Sequence, residues 1–537
     1  MNDENKSKSV DNAGAEEKSA TNVSTAGWSS MTRRGLLKAL VSIPFLGAFF
    51  LAFFKKKAVD DVKKQAVLEE LGVTETGPAV IPDAISRPPG DRVRVGIIGM
   101  GGEGEALVRF AGFAHPDWVE SSRQDAPGRL ETYLAQQDLN IAITAVCDMF
   151  DVRAERAIAA SSTDTRPGGA SANPPGRRFR SYTDMLESGE VDAVIIATPD
   201  HWHSQISMDA ASAGIHVYCE KCMTQTEEQT HAMYDAVKQS GIVFQLGHQN
   251  RQSEAHNKAR EIIAADILGP ITLVEGTTNR NDPWGAWVWD IHEEGNPQTI
   301  DWEQFQGPAP NRVPFNLERF FRWRCWYDYG TGLSGDLLSH EYDAVNQILG
   351  LGIPESAVAS GGIYHFKDGR DVPDVFQSVY EYPDRDLTFV YSATLANGNY
   401  RGLQFMGHDA TMQVSGNLNV SADRSSTRYK DKIEQGLIDT SRPMFTYRPG
   451  FKGIDAVTSA TEEYFASRGL LFTYRGGRRV SAYHLLIGEW LDVIRNGGET
   501  SCNIERGFEE AITCHMATRS FQEGRKVMWD PTSRRIV

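Results

Sequence analysis

The chain has 537 residues, of which 40% are hydrophobic and 23% charged, and its formal net charge is −16 at pH 7. A chain of this length exceeds one compact core, so roughly two to four domains are expected. The acidic balance excludes a protein that binds nucleic acid through the phosphate backbone, because there is no surplus of basic residues to displace counterions.

The first segment, residues 1–57, combines a polar stretch with an export signal. Residues 1–30 are rich in Ser, Asn, Glu and Lys and are predicted to be disordered. Arg33 and Arg34 precede the apolar run Ala39–Phe54, a pattern typical of the twin-arginine signal that exports folded proteins. Lysines follow the run without a clear cleavage site, so a membrane anchor stays open. We therefore expect a partner in the twin-arginine export machinery and a location in the periplasm, or in the membrane facing it.

The second segment, residues 58–91, is expected to connect this signal to the globular part. Ala58–Gly72 has helical periodicity, and Thr74–Asp91 contains several prolines and glycines, which is typical of a linker. The first globular domain is therefore predicted to begin at Arg92.

A glycine-rich turn follows the first predicted strand. The apolar run Val93–Ile98 leads into Gly99-x-Gly101-x-x-Gly104 and then into a helical pattern. Glycines at this spacing let the backbone approach a pyrophosphate and aim the next helix at the anion, although a purely structural tight turn gives the same pattern. The strand and the helix favour a Rossmann NAD(P)-binding domain over residues 92–250. Its predicted cofactor contacts in this turn are Gly99, Met100, Gly101 and Gly104.

The next predicted strand, Ile141–Cys147, ends in Asp148. A carboxylate there can accept hydrogen bonds from the adenosine ribose hydroxyls, which favours NAD over NADP. Because Arg153 is close to Asp148 in the sequence, NADP stays open as an alternative cofactor. Phe113–Gln137, before this strand, is polar and punctuated by prolines, and we predict a surface insertion there.

Two further strands end in polar motifs at the edge of the sheet where ligands bind. Val191–Ala197 leads into residues 198–203, Thr-Pro-Asp-His-Trp-His, and Ile215–Cys219 leads into residues 220–222, Glu-Lys-Cys. The histidines at 201 and 203 lack nearby acids at ligand spacing, so no metal site is predicted. The cysteines at 219 and 222 bracket a strand end, which disfavours a redox pair. The polar residues 247–251, after the last strand, are expected to border the site.

Three motifs in this order resemble the glucose–fructose oxidoreductase / inositol dehydrogenase (Gfo/Idh/MocA) family from about Arg92 onwards. They are Thr198-Pro-x-x-x-His203, Glu220-Lys221 and Asp336-x-x-x-His340. The resemblance implies an α/β fold, with an N-terminal Rossmann domain and a C-terminal α+β domain (residues 251–537) on an open, mainly antiparallel sheet that also serves oligomerisation. A homo-oligomer is expected by the same resemblance. It implies that the catalytic residues are Lys221, Asp336 and His340, and that the cofactor is lined by Thr198, Pro199, His203 and Glu220.

The chemistry of these residue types suits alcohol oxidation. His340 can accept the hydroxyl proton, Asp336 lies one helical turn before it, and Lys221 can stabilise the developing alkoxide. Without the resemblance, an Asp–His pair on a helix and a Lys at a strand end are more often structural or solvated. Two positions depart from the family pattern, Cys222 for Pro and Leu338 for Gly. A cis bond before Cys is costly, so we expect an altered backbone beside Lys221 and an effect on substrate identity more than on cofactor binding.

Aromatic and charged residues alternate in two later segments, Asn279–Asn296 and Phe320–Tyr329. Aromatic rings with carboxylates and guanidinium groups are typical of sugar sites, and packing between domains is the alternative. After these segments, Ala357–Val414 alternates as an antiparallel sheet does, Ser421–Ser459 is predicted to be an irregular insertion, and two helices close the fold.

The sequence thus predicts an NAD(P)-dependent oxidoreductase that acts on a sugar, glycoside or polyol hydroxyl and holds its cofactor tightly. Two alternatives stay open. One is a glycoside hydrolase or lyase that uses bound NAD through a transient 3-keto intermediate, as some members of the resembled family do. The other is a cofactor-stabilised binding subunit without catalysis.

Overall fold

A computed structural model of the chain describes residues 90–415, 417–447, 472–475 and 478–537, with a few isolated positions between 54 and 62. The predicted twin-arginine signal, the helical stretch that follows it and nearly all of the proline-rich linker lie outside these residues. Among the helices that the structure describes, none has the length and apolar character needed to cross a membrane.

The first globular region is built on a six-stranded parallel sheet. Its strands are β1 Val93–Ile98, β2 Ile141–Cys147, β3 Arg177–Arg178, β4 Ala193–Ile196, β5 His216–Cys219 and β6 Phe244–Leu246. They lie in the order β3-β2-β1-β4-β5-β6, so the order reverses between β1 and β4. A crevice for a ligand forms at the carboxyl ends of strands where such a reversal occurs. The predicted Rossmann-like architecture is therefore confirmed.

Helices cover both faces of this sheet. Those from its own part of the chain are α1 Gly102–Phe110, α2 Pro116–Asp125, α3 Pro127–Leu134, α4 Asp151–Ser161, α5 Tyr182–Glu187, α6 Asp200–Ser212 and α7 Glu227–Ser240. The predicted surface insertion consists of α2 and α3, which pack on a small core of their own around Tyr133. The Tyr133 hydroxyl accepts a hydrogen bond from the Ala114 amide (3.1 Å) and donates one to the Thr165 carbonyl (2.9 Å).

The second globular region carries a ten-stranded sheet. Its strands are β7 Ile271–Asn279, β8 Ser356–Gly362, β9 Val375–Tyr382, β10 Leu387–Thr394, β11 Leu403–Gly407, β12 Ala410–Val414, β13 Leu418–Ala422, β14 Phe445–Tyr447, β17 Val527–Asp530 and β18 Arg535–Ile536. A separate hairpin joins β15 Phe472–Arg475 to β16 Arg478–Ser481. Only β7 and β10 pair in parallel among the described strands of the large sheet, which confirms the mainly antiparallel prediction. Residues alternate between buried and half-buried along β10, so one face is covered and the other is open.

The covered face of this sheet packs on helices of the later part of the chain. The remaining helices are α8 Glu254–Ala264, α9 Trp302–Gln306, α10 Leu317–Phe321, α11 Ser339–Leu349, α12 Lys430–Glu434, α13 Ala482–Asn496 and α14 Ile504–Glu523. The predicted insertion Ser421–Ser459 contains α12 and β14, and its end lies outside the described residues.

One of these helices crosses between the two regions. Leu486, Ile487 and Trp490 of α13 share a core with Val95 and Tyr218 of the parallel sheet. The domain division at residue 250 therefore does not describe the packing of α13. The physical reason is that a parallel sheet needs apolar cover on both faces, and the C-terminal part of the chain supplies some of it.

Candidate active site

A cavity of about 520 Å³ lies where the carboxyl edge of the parallel sheet meets the segment between β7 and α11. Its lining includes the glycine turn, the Thr198-Pro199 turn, Glu220 and Lys221, together with the acid and the histidine of the third motif. The sequence motifs, which are up to about 240 residues apart, thus converge on one cavity.

The glycine turn forms a cradle of backbone on the sheet side of this cavity. A Cβ atom at Gly99, where φ is +89°, would lie 2.6 Å from the Ala197 carbonyl oxygen, and one at Gly104 would lie 2.2 Å from the Gly99 carbonyl oxygen. At Gly102 a Cβ would meet no atom within 4 Å, and at Gly101 only the Arg153 guanidinium at 3.9 Å. The first two glycines are therefore needed for packing. The other two leave room at the N-terminus of α1, where a pyrophosphate fits.

Asp148 lies at the end of β2 on the cavity wall. Its carboxylate accepts hydrogen bonds from the amides of Met100 (2.6 Å) and Phe150 (2.8 Å). Burial raises the pKa of Asp148, and the nearby Arg153 guanidinium opposes that change. The Met100 side chain is buried, and it is the backbone amide of Met100 that contacts Asp148. Asp148 is thus fixed at the position where an adenosine ribose is bound in Rossmann domains.

The Thr198-Pro199 turn lines the cavity, but His203 lies behind it. The His203 ring nitrogens are 2.7 Å from the Cys222 carbonyl oxygen and 2.9 Å from the Thr198 carbonyl oxygen. His203 was predicted to line the cofactor; in the structure it is buried against the backbone of two turns that line the cavity and does not line the cavity itself. Burial lowers its pKa, which favours the neutral ring.

Lys221 and Asp336 form an ion pair across the cavity. Lys221 Nζ donates to the Asp336 carboxylate (2.9 Å) and to the Asp336 carbonyl (2.8 Å). The Lys221–Cys222 peptide bond is cis. The substitution of Cys for Pro therefore does not remove the cis bond that the resembled family often has at this point.

Two more residues hold the Asp336 carboxylate. Arg324 Nε donates to it at 2.8 Å and the Trp287 indole at 3.1 Å. Burial acts to raise the pKa of Asp336, but the charges of Lys221, Arg324 and Arg280 outweigh it and hold that pKa well below its usual range. Asp336 is consequently a permanent anion that orients Lys221.

His340 lies at the start of α11, directly after a π-helical turn over Ser334–Leu338. The sequence predicts a regular α-helix here, with Asp336 one turn before His340. The wider turn differs from that prediction, yet both residues line the cavity. π-Helical turns of this kind are frequent at functional sites. Leu338, at the position where the resembled family often has Gly, is fully buried in the core of the second region.

Aromatic side chains form the wall opposite the glycine turn. Trp284, Trp287, Trp289 and Trp323 line this wall. Arg324 stacks over the rings of Trp323 (4.2 Å) and Trp289 (5.3 Å), while 52% of Trp284 is exposed. The predicted sugar-gripping segments therefore lie at the cavity, with their guanidinium and indole groups in contact.

Two residues on the cavity wall, Glu103 and Tyr483, were not predicted as site residues, whereas Gln249 belongs to the segment 247–251 that was expected to border the site. Glu103, inside the glycine motif, and Tyr483 on α13 are hydrogen-bonded partners, and Gln249 donates to the Tyr483 hydroxyl at 3.0 Å. Burial raises the pKa of both Glu103 and Glu220. Glu103 could have been predicted as a site residue from the sequence, because it stands between the second and third glycines of the motif. The contribution of Tyr483, hundreds of residues away, depends on tertiary packing.

The six cysteines and the two histidines, His201 and His203, are buried in the protein interior. All six cysteines lie within the described residues, and each is free and buried. The His201 ring and the Trp202 indole both approach the Phe305 carbonyl oxygen, at 2.8 Å and 3.0 Å. In the described part of the chain, no group of three or more potential ligands is arranged to hold a metal ion.

The fold and the cavity define a class of two-domain proteins with a Rossmann-like first domain, and comparison with known proteins identifies the family. The family model described as "Oxidoreductase family, NAD-binding Rossmann fold" matches residues 93–248, and "Oxidoreductase family, C-terminal alpha/beta domain" matches residues 260–529. These matches span most of the chain. The protein belongs to this oxidoreductase family, Gfo/Idh/MocA, as the motifs predict.

Individual relatives are more distant. The chain is 30% identical to levoglucosan dehydrogenase of Pseudarthrobacter phenanthrenivorans over 36% of its own length and 47% of the relative. It is 25% identical to scyllo-inositol 2-dehydrogenase (NAD(+)) of Bacillus subtilis, over 43% and 55% of the two chains. The chain thus spans about half the length of the curated relatives it matches.

Solved structures share the fold over a longer stretch. A levoglucosan dehydrogenase in complex with NADH and levoglucosan has a TM-score of 0.55 at 18% identity, covering 82% of this chain and 99% of that one. The WlbA dehydrogenase from Bordetella pertussis, in complex with NADH and UDP-GlcNAcA, has a TM-score of 0.52 at 16% identity, covering 83% and 99%. At these identities the likeness concerns the fold.

Proposed function

We propose that the protein is an NAD-dependent oxidoreductase that oxidises a hydroxyl group of a sugar, glycoside or polyol. One observation carries the proposal. Lys221, Asp336 and His340 line the same cavity as the glycine cradle, and Lys221 is ion-paired with Asp336. A relative that oxidises levoglucosan and another that oxidises scyllo-inositol, by their names, support a cyclic polyhydroxy substrate.

The residues of the cavity suggest how the reaction proceeds. Gly101, Gly102 and the N-terminus of α1 would hold the pyrophosphate of NAD, with Asp148 at its adenosine ribose. Bound NAD supplies the hydride acceptor. His340 takes the proton from the substrate hydroxyl, and Lys221 stabilises the negative charge that develops on that oxygen. Asp336 keeps Lys221 in position and remains ionised throughout.

The experiment uses full-length protein purified without added cofactor. The protein is denatured, any released nucleotide is identified, and native protein is scanned at 340 nm with a panel of sugars, glycosides and polyols. Released NAD(H) and substrate-dependent reduction are expected, because the cavity encloses the cofactor cradle. Glycoside cleavage without net reduction would replace the dehydrogenase with the hydrolase or lyase. The absence of nucleotide, together with no uptake on titration, would contradict both enzymes and favour the binding subunit.

We also propose that the protein is exported by the twin-arginine route and works in the periplasm or on the membrane facing it. The support is the sequence Arg33-Arg34 before the apolar run at residues 39–54. Cell fractionation of the wild type and of the Arg33→Lys/Arg34→Lys variant tests this. Loss of the exported form in the variant is expected, and unchanged export would contradict it.

A homo-oligomer is the third proposal. It is supported by the half-buried alternate residues along β9 and β10, which leave one sheet face open to a second copy. Light scattering coupled to size-exclusion chromatography measures the mass directly, and a monomer at all concentrations would contradict it.

A further inference from the structure

A buried histidine lies directly behind His340, on the side away from the cavity. His248 follows β6 and is fully buried, and its ring stands edge-on to that of His340, with 5.6 Å between the ring centroids and an angle of 88° between the planes. It does not line the cavity, so it cannot contact a substrate there. Its influence on the reaction must pass through His340.

Two buried carboxylates face the His248 ring from two different helices. Its Nδ1 is 4.0 Å from an oxygen of Asp343 on α11, and its Nε2 is 3.7 Å from an oxygen of Glu510 on α14. Both carboxylates are only 1% exposed. Neither of these two oxygens, and neither ring nitrogen, has a hydrogen-bond partner among the described residues. The ring therefore lies between two buried acids.

The acids differ in how their charge is balanced. Asp343 is already paired with a cation, since Arg251 donates to its other oxygen through Nε (2.8 Å) and Nη2 (2.5 Å). Within the described part of the chain, the one hydrogen-bond contact to Glu510 is a weak one from the Cys514 thiol at 3.8 Å. An unpaired buried carboxylate is costly in free energy, so Glu510 needs a positive charge beside it. Within the described residues, His248 is the group placed to carry that charge.

Three other titratable groups near this cluster, Glu489, Cys502 and Glu509, have contacts of their own, and the buried thiols of Cys219, Cys222 and Cys514 also lie in the field of Glu510. Glu489 of α13 accepts hydrogen bonds from Ser501 and Gln252. The Cys502 thiol lies 4.0 Å from the paired oxygen of Asp343. Glu509, next to Glu510 in sequence, accepts from Arg506 and Asn346.

We propose that His248 is a cationic positioning residue, which balances Glu510 and by its charge keeps the neighbouring His340 unprotonated and ready to accept the substrate proton. This inference rests on the proposed role of His340 as the base. Two like charges 5.6 Å apart repel in a buried site, so a cation at His248 disfavours a second one at His340. The catalytic base then stays active at a lower pH than it would alone.

The test is the pH dependence of kcat/KM, which reports the ionisation of the free enzyme. His248→Gln removes the cation, and Glu510→Gln removes the anion that retains it. Both variants are expected to move the acid limb to higher pH by about one unit, which is about a tenfold loss of kcat/KM on that limb. Glu505→Gln is the matched control on the same helix α14, because Glu505 pairs with Lys238 at the surface. Its profile should superimpose on that of the wild type.

The sign of the shift separates the possible outcomes. If His248 is neutral and Glu510 is charged, Glu510→Gln removes a negative charge near His340 and moves the acid limb to lower pH. If Glu510 is protonated, that variant changes nothing. Either result overturns the inference. If His248→Gln fails to fold, the pH profile of Glu510→Gln alone tests the inference. The proposed function has a separate test, because full activity in a His340→Asn variant would contradict the role of His340 as the base.

Discussion

The two walls of the cavity are built by different means. On the sheet side the wall contains a cradle of backbone, where Gly101 and Gly102 leave room that a side chain would fill. On the other side it is made of long side chains, with Arg324 and Trp287 donating to Asp336, and Lys221 reaches the same carboxylate from the sheet edge. A backbone wall binds a common group through its shape and dipole, whereas a side-chain wall can change with each substrate.

This difference assigns separate tasks to the two walls. The glycine wall should determine whether the cofactor binds, and the opposite wall should determine which substrate reacts and how fast. Variants on one wall are therefore expected to leave the measured property of the other nearly unchanged. Substitutions on each wall test that separation.

The largest effect is expected from His340→Asn, which removes the base on the side-chain wall. The value of kcat/KM should fall by about a thousandfold, because the variant removes the group proposed to take the hydroxyl proton. NAD affinity, measured by titration, should stay within about threefold of the wild type. His408→Asn, an exposed histidine of the second region, serves as the control. A fall in NAD affinity as large as the fall in kcat/KM would contradict the separation of tasks.

The next effect concerns the glycine wall. In Gly101→Leu the new side chain fills the cradle, so NAD affinity should fall by about a hundredfold, or about 3 kcal/mol. The fold should persist, because a Cβ there meets nothing nearer than the Arg153 guanidinium at 3.9 Å. Isothermal titration measures the affinity and a melting curve measures the fold. Gly128→Leu, at an open position in α3, should change neither the affinity nor the melting temperature. Unaltered NAD binding by Gly101→Leu would show that the glycine cradle does not hold the cofactor.

A smaller effect is expected at the mouth of the side-chain wall. Trp284 is half exposed on the cavity rim, and its ring is suited to pack on the apolar face of a sugar. Trp284→Ala should raise KM by about tenfold with little change in kcat or in NAD affinity. Tyr364→Ala removes an exposed ring that does not line the cavity and should leave all three values unchanged. A KM equal to that of the wild type would show that this ring only packs.

The smallest effect is on stability and involves neither wall's chemistry. Burial lowers the pKa of His484 to about 4, and its Nδ1 lies 2.9 Å from the Phe110 carbonyl oxygen. Between about pH 6.5 and pH 4 the unfolded chain binds a proton there that the folded protein does not, so stability falls as the pH is lowered. His484→Asn should reduce that slope by up to about 1.4 kcal/mol per pH unit. Denaturant unfolding at a series of pH values measures it, with His408→Asn as control; an unchanged slope would mean that His484 is charged when folded.

The contrast between the walls also explains what the sequence could reveal. The cofactor side follows from local patterns, since the glycine turn, the Thr198-Pro199 turn and Glu220-Lys221 each follow a strand of the same sheet. Parallel strands bring their carboxyl ends to one edge, so these motifs had to meet. The parallel first sheet and the mainly antiparallel second sheet followed from the same patterns and the family resemblance.

The remaining features depend on contacts that no local pattern contains. The convergence of Arg324 and Trp287 on Asp336 requires the folded segment between β7 and α11, although both residues were noted in a sugar-gripping pattern. The π-helical turn before His340 has no periodic signal of its own. Helix α13 covers the first sheet from the far end of the chain, which its apolar periodicity could not reveal. His203 was misplaced for a similar reason, because its spacing to Thr198 does not say which side of α6 it occupies.

The most direct test of the central claim follows the hydride itself. A substrate found on the panel is prepared with deuterium at the carbon that bears the reacting hydroxyl, and the nucleotide released from the enzyme is weighed by mass spectrometry after one turnover. The account predicts NADH that carries the deuterium from wild-type enzyme, and unreduced NAD still bound to the His340→Asn variant. Reduced nucleotide without the label, or product formed while the bound nucleotide never gains it, would contradict direct transfer between the two walls.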